Sequence, residues 1–360
     1  MLSPFAVRRV SDPQRHCVHG YFDLCPESPD GMRIVYCAFA GERRPPAEIM
    51  VAERDGGSPR PIGPAAAADS HSGAMQQWVD NSTAAYADRH GDKRNRTQVV
   101  SIVDGATFPV DAPIRMFSSA SGLALGSTNF AGGEPGSIAN SEVFLMDVRE
   151  GWSRRLFGRE QLLAGHPLRD SIDRPDRLSI KHTKWAPDGQ RFFCVYHNEI
   201  YLMHAKEGPR YKSIYVADNA EAAPAYLCEF GHHPMWGGDS SFVYSNFRGP
   251  SGRQNLVANA LDGSPPRTIL ENAEGVHSTL DGNGKRLLTD LFRFPEPGKA
   301  SIALYDVESG SRLILATFDA PPTPYEERVH PHPVWSRDGK RVYFNGMADG
   351  VAGLFAVDLA

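Results

Sequence analysis

A short apolar strand that ends in aspartate, repeated seven times, constrains this chain more than any other feature. It reads MVAERDGG at Asp55, SIVDG at Asp104, FLMDVREG at Asp147, YVADN at Asp218, VANALDG at Asp262, ALYDVESG at Asp306 and FAVDL at Asp358. The intervals are 49, 43, 71, 44, 44 and 52 residues. A second unit precedes most of these strands: an apolar run, a tight turn often built on Asp-Gly, and another apolar run. Its fullest copy is HPHPVWSRDGKRVYFN, His330 to Asn345, and it recurs from His182, His232 and Val276. Looser copies are LCPESPDGMRIVYCAF, HSGAMQQWVDNSTAAYAD from His71, and MFSSASGLALGS from Met116. Asp-Gly between β-branched and aromatic runs marks a hairpin. Two hairpins per unit of about 45 residues describe the four-stranded blade of a propeller.

The expectation is therefore an all-β, seven-bladed propeller of antiparallel blades, occupying residues 1–360 as one domain. The chain ends on a third-strand unit, so the run Phe5 to Val10 is expected to supply the missing outer strand and close the ring. Closure removes sheet edges that would otherwise pair with other chains. No stretch has a convincing helical period except a turn near Arg159 to Ala164. The long third interval predicts a loop extension between Phe130 and Ile180.

Composition narrows the function classes. With 41% hydrophobic and 22% charged residues the chain is an ordinary globular one. A net charge of −5 and the lack of a Lys/Arg run argue against a nucleic-acid partner. No apolar stretch approaches the ~20 residues of a membrane helix. The N-terminus has no apolar signal core, and the five cysteines (Cys17, Cys25, Cys37, Cys194, Cys228) are scattered without a CxxC. Both point to a cytoplasmic protein.

The histidines carry the chemistry. His182, His233 and His332 each stand three residues before a Trp, His277 three before Leu280, and His71 opens the second blade. These slots begin the innermost strands, whose starts ring one mouth of a propeller's channel. A single such imidazole is usually a satisfied structural group. Five in equivalent slots, with His330 beside His332, predict a shared site. Neutral imidazoles suit Zn or Mn with positions left open for water or substrate. The ligand set expected is His277, His330 and His332, with Glu327 as a fourth oxygen ligand or, with Glu326, a solvated rim. His233 beside such a cation would stay neutral at pH 7, which suits a general base. The repeated Trp185, Trp236 and Trp335, like the seven aspartates, read as blade-shaping residues.

The segments GHHPMW, GVHSTLDGNGKRLLTD and ERVHPHPVWSRDGKRVYF resemble those of the oligogalacturonate lyases, over roughly the C-terminal half. That resemblance implies a seven-bladed propeller, a divalent metal (typically manganese) on His277, His330 and His332, and a proton-abstracting His233. Glu327 stands where that family has Gln. The N-terminal segments HGYFDLCPESPDG, HSGAMQQW and YADRH are similar to the ulvan lyases. This second likeness implies roles for His71 and His90, with Asp88 or Arg89 an alternative to His90, but the Tyr of that mechanism has no match near Pro135-Gly136.

The reaction implied is β-elimination on an acidic, uronate-containing oligosaccharide. The proton removed lies α to a carboxylate, and a neighbouring cation stabilises the enolate-like transition state. Arg248 in SNFRG and Arg293 in DLFRF are candidates to neutralise that carboxylate, or else rim charges. His182 is a candidate substrate contact. Trp78 and Tyr21 read either as sugar-stacking rings or as core. The competing reading is a non-catalytic propeller similar to TolB, which has no use for a histidine ring.

Overall fold

A computed structural model describes residues 5–89, 95–127, 141–198, 208–218, 223–248, 254–292, 295–321 and 328–359. Its strands form seven four-stranded antiparallel sheets, each one blade of a seven-bladed propeller. The blades span residues 17–64, 77–110, 114–158, 179–229, 232–270 and 279–319, and the seventh combines residues 334–358 with 7–9. The closing strand is Val7–Arg9, which pairs antiparallel with Val351–Asp358 through Val7↔Val357 and Arg9↔Phe355. The single α-helix among the described residues is Arg159–Ala164, followed by short 3-10 turns before blade 4. These elements fill part of the long third interval; residues 128–140, where the loop extension was expected to begin, lie outside the described residues.

The repeated residues explain the architecture. Glycines of the hairpin turns, among them Gly31, Gly189 and Gly339, sit at φ near +70°, a conformation side chains resist. Five of the seven repeat aspartates cap the next turn: Asp55, Asp104, Asp147 and Asp262 each accept a backbone N–H two residues on, and Asp306 one three residues on. Their role is local geometry.

The tryptophans join blades. Trp78, Trp236 and Trp335 donate their indole N–H to the carbonyls of Pro26, Lys184 and Thr279, at 2.8, 3.0 and 3.2 Å. Each acceptor belongs to the inner edge of the preceding blade, so these residues act as rivets around the axis. Between blades lie apolar clusters, such as Leu145, Phe157, Trp185, Phe192 and Tyr215 between blades 3 and 4.

Blade 1 departs from the repeat. Its inner strand pairs at Val18↔Cys37 and again at Glu27↔Ile34. Residues 19–26 therefore stand opposite residues 35–36, and the surplus chain leaves the sheet. It carries Tyr21, Phe22 and Leu24, which pack against Met75 of the approach to blade 2.

Candidate active site

The imidazoles predicted to meet at the axis do meet. His71, His330 and His332 offer ligand atoms that all lie within 4.8 Å of one another. Ring centroids are 4.1 Å apart for His71 and His330, and 4.8 Å for His71 and His332. His277 adjoins this triad at 4.3 Å from His332, and His233 lies 4.4 Å beyond His277. His182 follows at 5.8 Å from His233. Six rings thus form a chain from blade 7 through blades 6 and 5 to blade 4, with blade 2 facing them.

The slot three residues before the Trp has a backbone reason. His182, His233 and His332 have φ of 50°, 45° and 45°. This left-handed conformation costs a non-glycine residue about 1 kcal/mol or more and clusters at functional sites. In blades 4 and 5 the same place interrupts the ladder, between Lys181 and Lys184 and between His232 and Met235. A bulge re-aims a side chain from the sheet face. Here it turns imidazoles toward the axis.

His71 corrects the expected register. The residue in the blade 2 slot is Met75, three before Trp78, with φ 54°. His71 sits one turn earlier, in a loop pinned by the half-buried Asp69, whose carboxylate accepts the N–H groups of His71 and Ser72 at 3.0 and 2.7 Å. The loop, and not the strand, delivers His71 to the triad.

Electrostatics hold His71, His182, His233, His330 and His332 neutral. Burial pushes His71 down to about 3, helped by His277 and Lys181. His182, His233, His330 and His332 are likewise held well below the ordinary histidine value, burial first and neighbouring cations or imidazoles second. Neutral rings keep a lone pair. In His332 both ring nitrogens are buried with no hydrogen-bond partner among the described residues. Such an atom calls for a ligand. Three neutral imidazoles, one of them doubly orphaned, fit a divalent ion of the Zn or Mn kind.

The remaining rings are oriented. His277 is 1% exposed and contacts the fully buried Asp290 twice: its backbone N–H donates at 2.9 Å and its Nδ1 lies 2.7 Å from the carboxylate. His233 Nδ1 donates to the Val276 carbonyl at 3.1 Å, which fixes the tautomer with the lone pair on Nε2.

Several residues of the site carried no repeat signal. Tyr21 of the blade 1 loop lies among the rings, 4.6 Å from His332, 5.5 Å from His71 and 5.7 Å from His182. Behind it Asp23 bridges blades 3 and 4, with its carboxylate 2.5 Å from Arg115 and 2.9 Å from Lys184. All three are buried. Burial would raise Asp23, but the two cations overcome it and hold it at about 2, while Lys184 is pushed down to about 8. His19, also in this loop, bonds through Nε2 to the His332 carbonyl at 2.7 Å.

Other expectations fare differently. Trp78 is 3% exposed, packed in the core with Val35 and Tyr86 and bonded to Pro26, so it offers no face to a sugar. Arg248 ends the second strand of blade 5 as an exposed residue. His90, Arg293 and Glu327 lie outside the described residues.

No protein-family model matches the sequence, and no curated protein matches it. Solved structures do. An oligogalacturonate lyase in complex with manganese superposes with a TM-score of 0.71 at 13% identity, over 99% of this chain and 94% of its own. The fold is shared with the oligogalacturonate lyases. A second one, from Vibrio parahaemolyticus, gives 0.72 at 12% identity over 100% and 96%. The β-propeller domain of the Trilobed protease from Pyrococcus furiosus gives 0.60 at 13% identity over 96% and 95%. At these identities the likeness is one of fold. It extends the oligogalacturonate-lyase resemblance from the C-terminal half to the whole chain, and does not bear on the resemblance to ulvan lyases.

Proposed function

We propose that this protein is a divalent-metal-dependent lyase that cleaves uronate-containing oligosaccharides by β-elimination. The observation that carries the reading is the neutral triad His71, His330 and His332, set beside two further oriented imidazoles at the axis of a lyase-type propeller. The triad would hold the ion, with His277 adjoining it and Glu327 a proposed oxygen donor. Manganese is the metal named with one structural neighbour, and zinc suits the same donors. When bound, the metal supplies a positive charge that lowers the cost of negative charge on the substrate's carboxylate.

The chain's own groups do the rest. His233 is neutral, with Nδ1 committed to Val276 and Nε2 carrying the lone pair. It takes the proton α to the carboxylate. The electron pair left on carbon moves to form the C=C bond, and the glycosidic C–O bond breaks as water or another acid gives a proton to the leaving oxygen. Arg248 and Arg293 are proposed to neutralise the uronate carboxylate, and His182 and His90 to contact the sugar. Incubation with pectic, glucuronan and ulvan fragments in the presence of Mn or Zn tests the proposal, because the unsaturated uronate product absorbs at about 235 nm. Growth of that absorbance is expected with at least one fragment class and is lost in His233→Ala. Silence across all three returns the chain to a non-catalytic scaffold.

A further inference from the structure

In six of the seven blades the described second strand has a fifth residue that faces the start of an inner strand. In blades 1, 2 and 4 this position holds Cys37, Ala87 and Val195. In blades 5, 6 and 7 it holds Asn246, Asp290 and Asn345. The change from apolar to polar coincides with the three blades that supply His233, His277, His330 and His332. All three polar side chains are buried, at 2%, 0% and 0% exposure. A buried amide or carboxylate calls for partners, and each bonds the backbone that carries a site histidine, with Asn246 doing so through Nδ2 alone.

Asn345 is the most heavily used. Its Nδ2 donates to the His330 carbonyl at 3.1 Å, its backbone N–H to the Pro331 carbonyl at 2.7 Å, and its Oδ1 accepts the backbone N–H of His19 at 2.9 Å. His19 in turn bonds the His332 carbonyl. The carbonyls of both histidines in the HPH segment are thus held by one two-residue clamp. Asp290 accepts the backbone N–H and ring Nδ1 of His277. Asn246 donates through Nδ2 to the Val276 carbonyl at 3.3 Å, the acceptor of the His233 ring, and to Ser278 Oγ at 2.9 Å.

We propose that Asn246, Asp290 and Asn345 are positioning residues, one per blade, that set the imidazoles of this site, with Asn345 and His19 jointly orienting the metal-holding pair His330 and His332. The inference rests on the metal site proposed above. It assigns function to residues that touch neither ion nor substrate, and it divides them: Asn345 serves the metal pair, Asn246 serves the base.

That division supplies the test. Asn345→Ala and Asn246→Ala remove buried amides from equivalent positions, so both should lower stability. Mn and Zn affinity, measured by calorimetry on the full chain, should respond to only one of them. Outer-shell losses of this kind weaken metal binding about 10–100-fold, and this is expected for Asn345→Ala, with Asn246→Ala left at the wild-type affinity. The electron paramagnetic resonance spectrum of bound Mn should change in the first variant only. Should either alanine variant fail to fold, the serine pair Asn345→Ser and Asn246→Ser repeats the comparison with a smaller loss. Equal weakening in both, or none in either, overturns the proposal while leaving the metal site standing. A wild-type chain that binds neither ion overturns both.

Discussion

At the scale of the residue, the sequence exposed the histidines because a repeat makes position meaningful. His182, His233 and His332 could be aligned by their distance to a Trp, and the structure gives that distance a cause in a left-handed bulge residue. His71 was legible as a site residue but not in its register, since a loop before the inner strand obeys no period. Trp78, read either as a sugar-stacking ring or as core, serves as a rivet. The rivet has a measurable worth. Trp335→Phe keeps most of the packed ring and removes only the bond to Thr279. It should lower stability by about 1 kcal/mol, read from urea denaturation, and leave metal binding intact. A loss several times larger, or a loss of metal, would assign Trp335 a different role.

At the scale of the element, the blade 1 loop is what sequence reasoning could not place. Residues 19–23 precede the looser copy that starts at Leu24 and match no part of the repeat, so Tyr21, Asp23 and His19 had no alignment to reveal them. Arg115 and Lys184, their partners from blades 3 and 4, fall at slots that hold no histidine. Only the closed ring brings these segments together. Asp23 pairs with two buried cations at once. Breaking a buried ion pair by deleting one partner typically costs roughly 3–5 kcal/mol. Asp23→Ala should therefore destabilise strongly, and Asp23→Asn, which keeps an oxygen acceptor, less so. Thermal melting of the two variants checks this ordering. Equal stability of Asp23→Ala and wild type would show that the loop is not held by its carboxylate.

At the scale of the whole molecule, the architecture was readable because seven copies of one pattern leave few alternatives. Blade number and strand order follow from repeat spacing, and the pairing of Val7–Arg9 with Val351–Asp358 closes the ring. Deleting residues 1–10 should leave the third strand of blade 7 as an open edge and lower the melting temperature, with increased self-association in light scattering. An unchanged melt would mean that closure contributes little. Gathering so many imidazoles in one buried place also sets a pH dependence. In the folded chain His19, His71, His182, His233, His330 and His332 resist protonation, with His19 at about 4 and His71 at about 3, while in the unfolded chain they titrate near the ordinary value of about 6.5. Below that value the unfolded state takes up protons that the folded state refuses. Stability should then fall as pH falls from 6.5 toward those folded values, by up to ~1.4 kcal/mol per pH unit for each imidazole. Urea midpoints at pH 7.5, 6 and 5 should decline in order, and a flat series would contradict the buried neutral cluster.

The measurement that bears most directly on this account is the metal content of the purified chain and of His71→Ala after loading with Mn or Zn and dialysis. His71 comes from blade 2 and its proposed partners from blade 7, so only a ring closed as described can make them co-ligands. The account expects about one ion per wild-type chain and a large loss of it in His71→Ala. Full retention of the ion by that variant would contradict it.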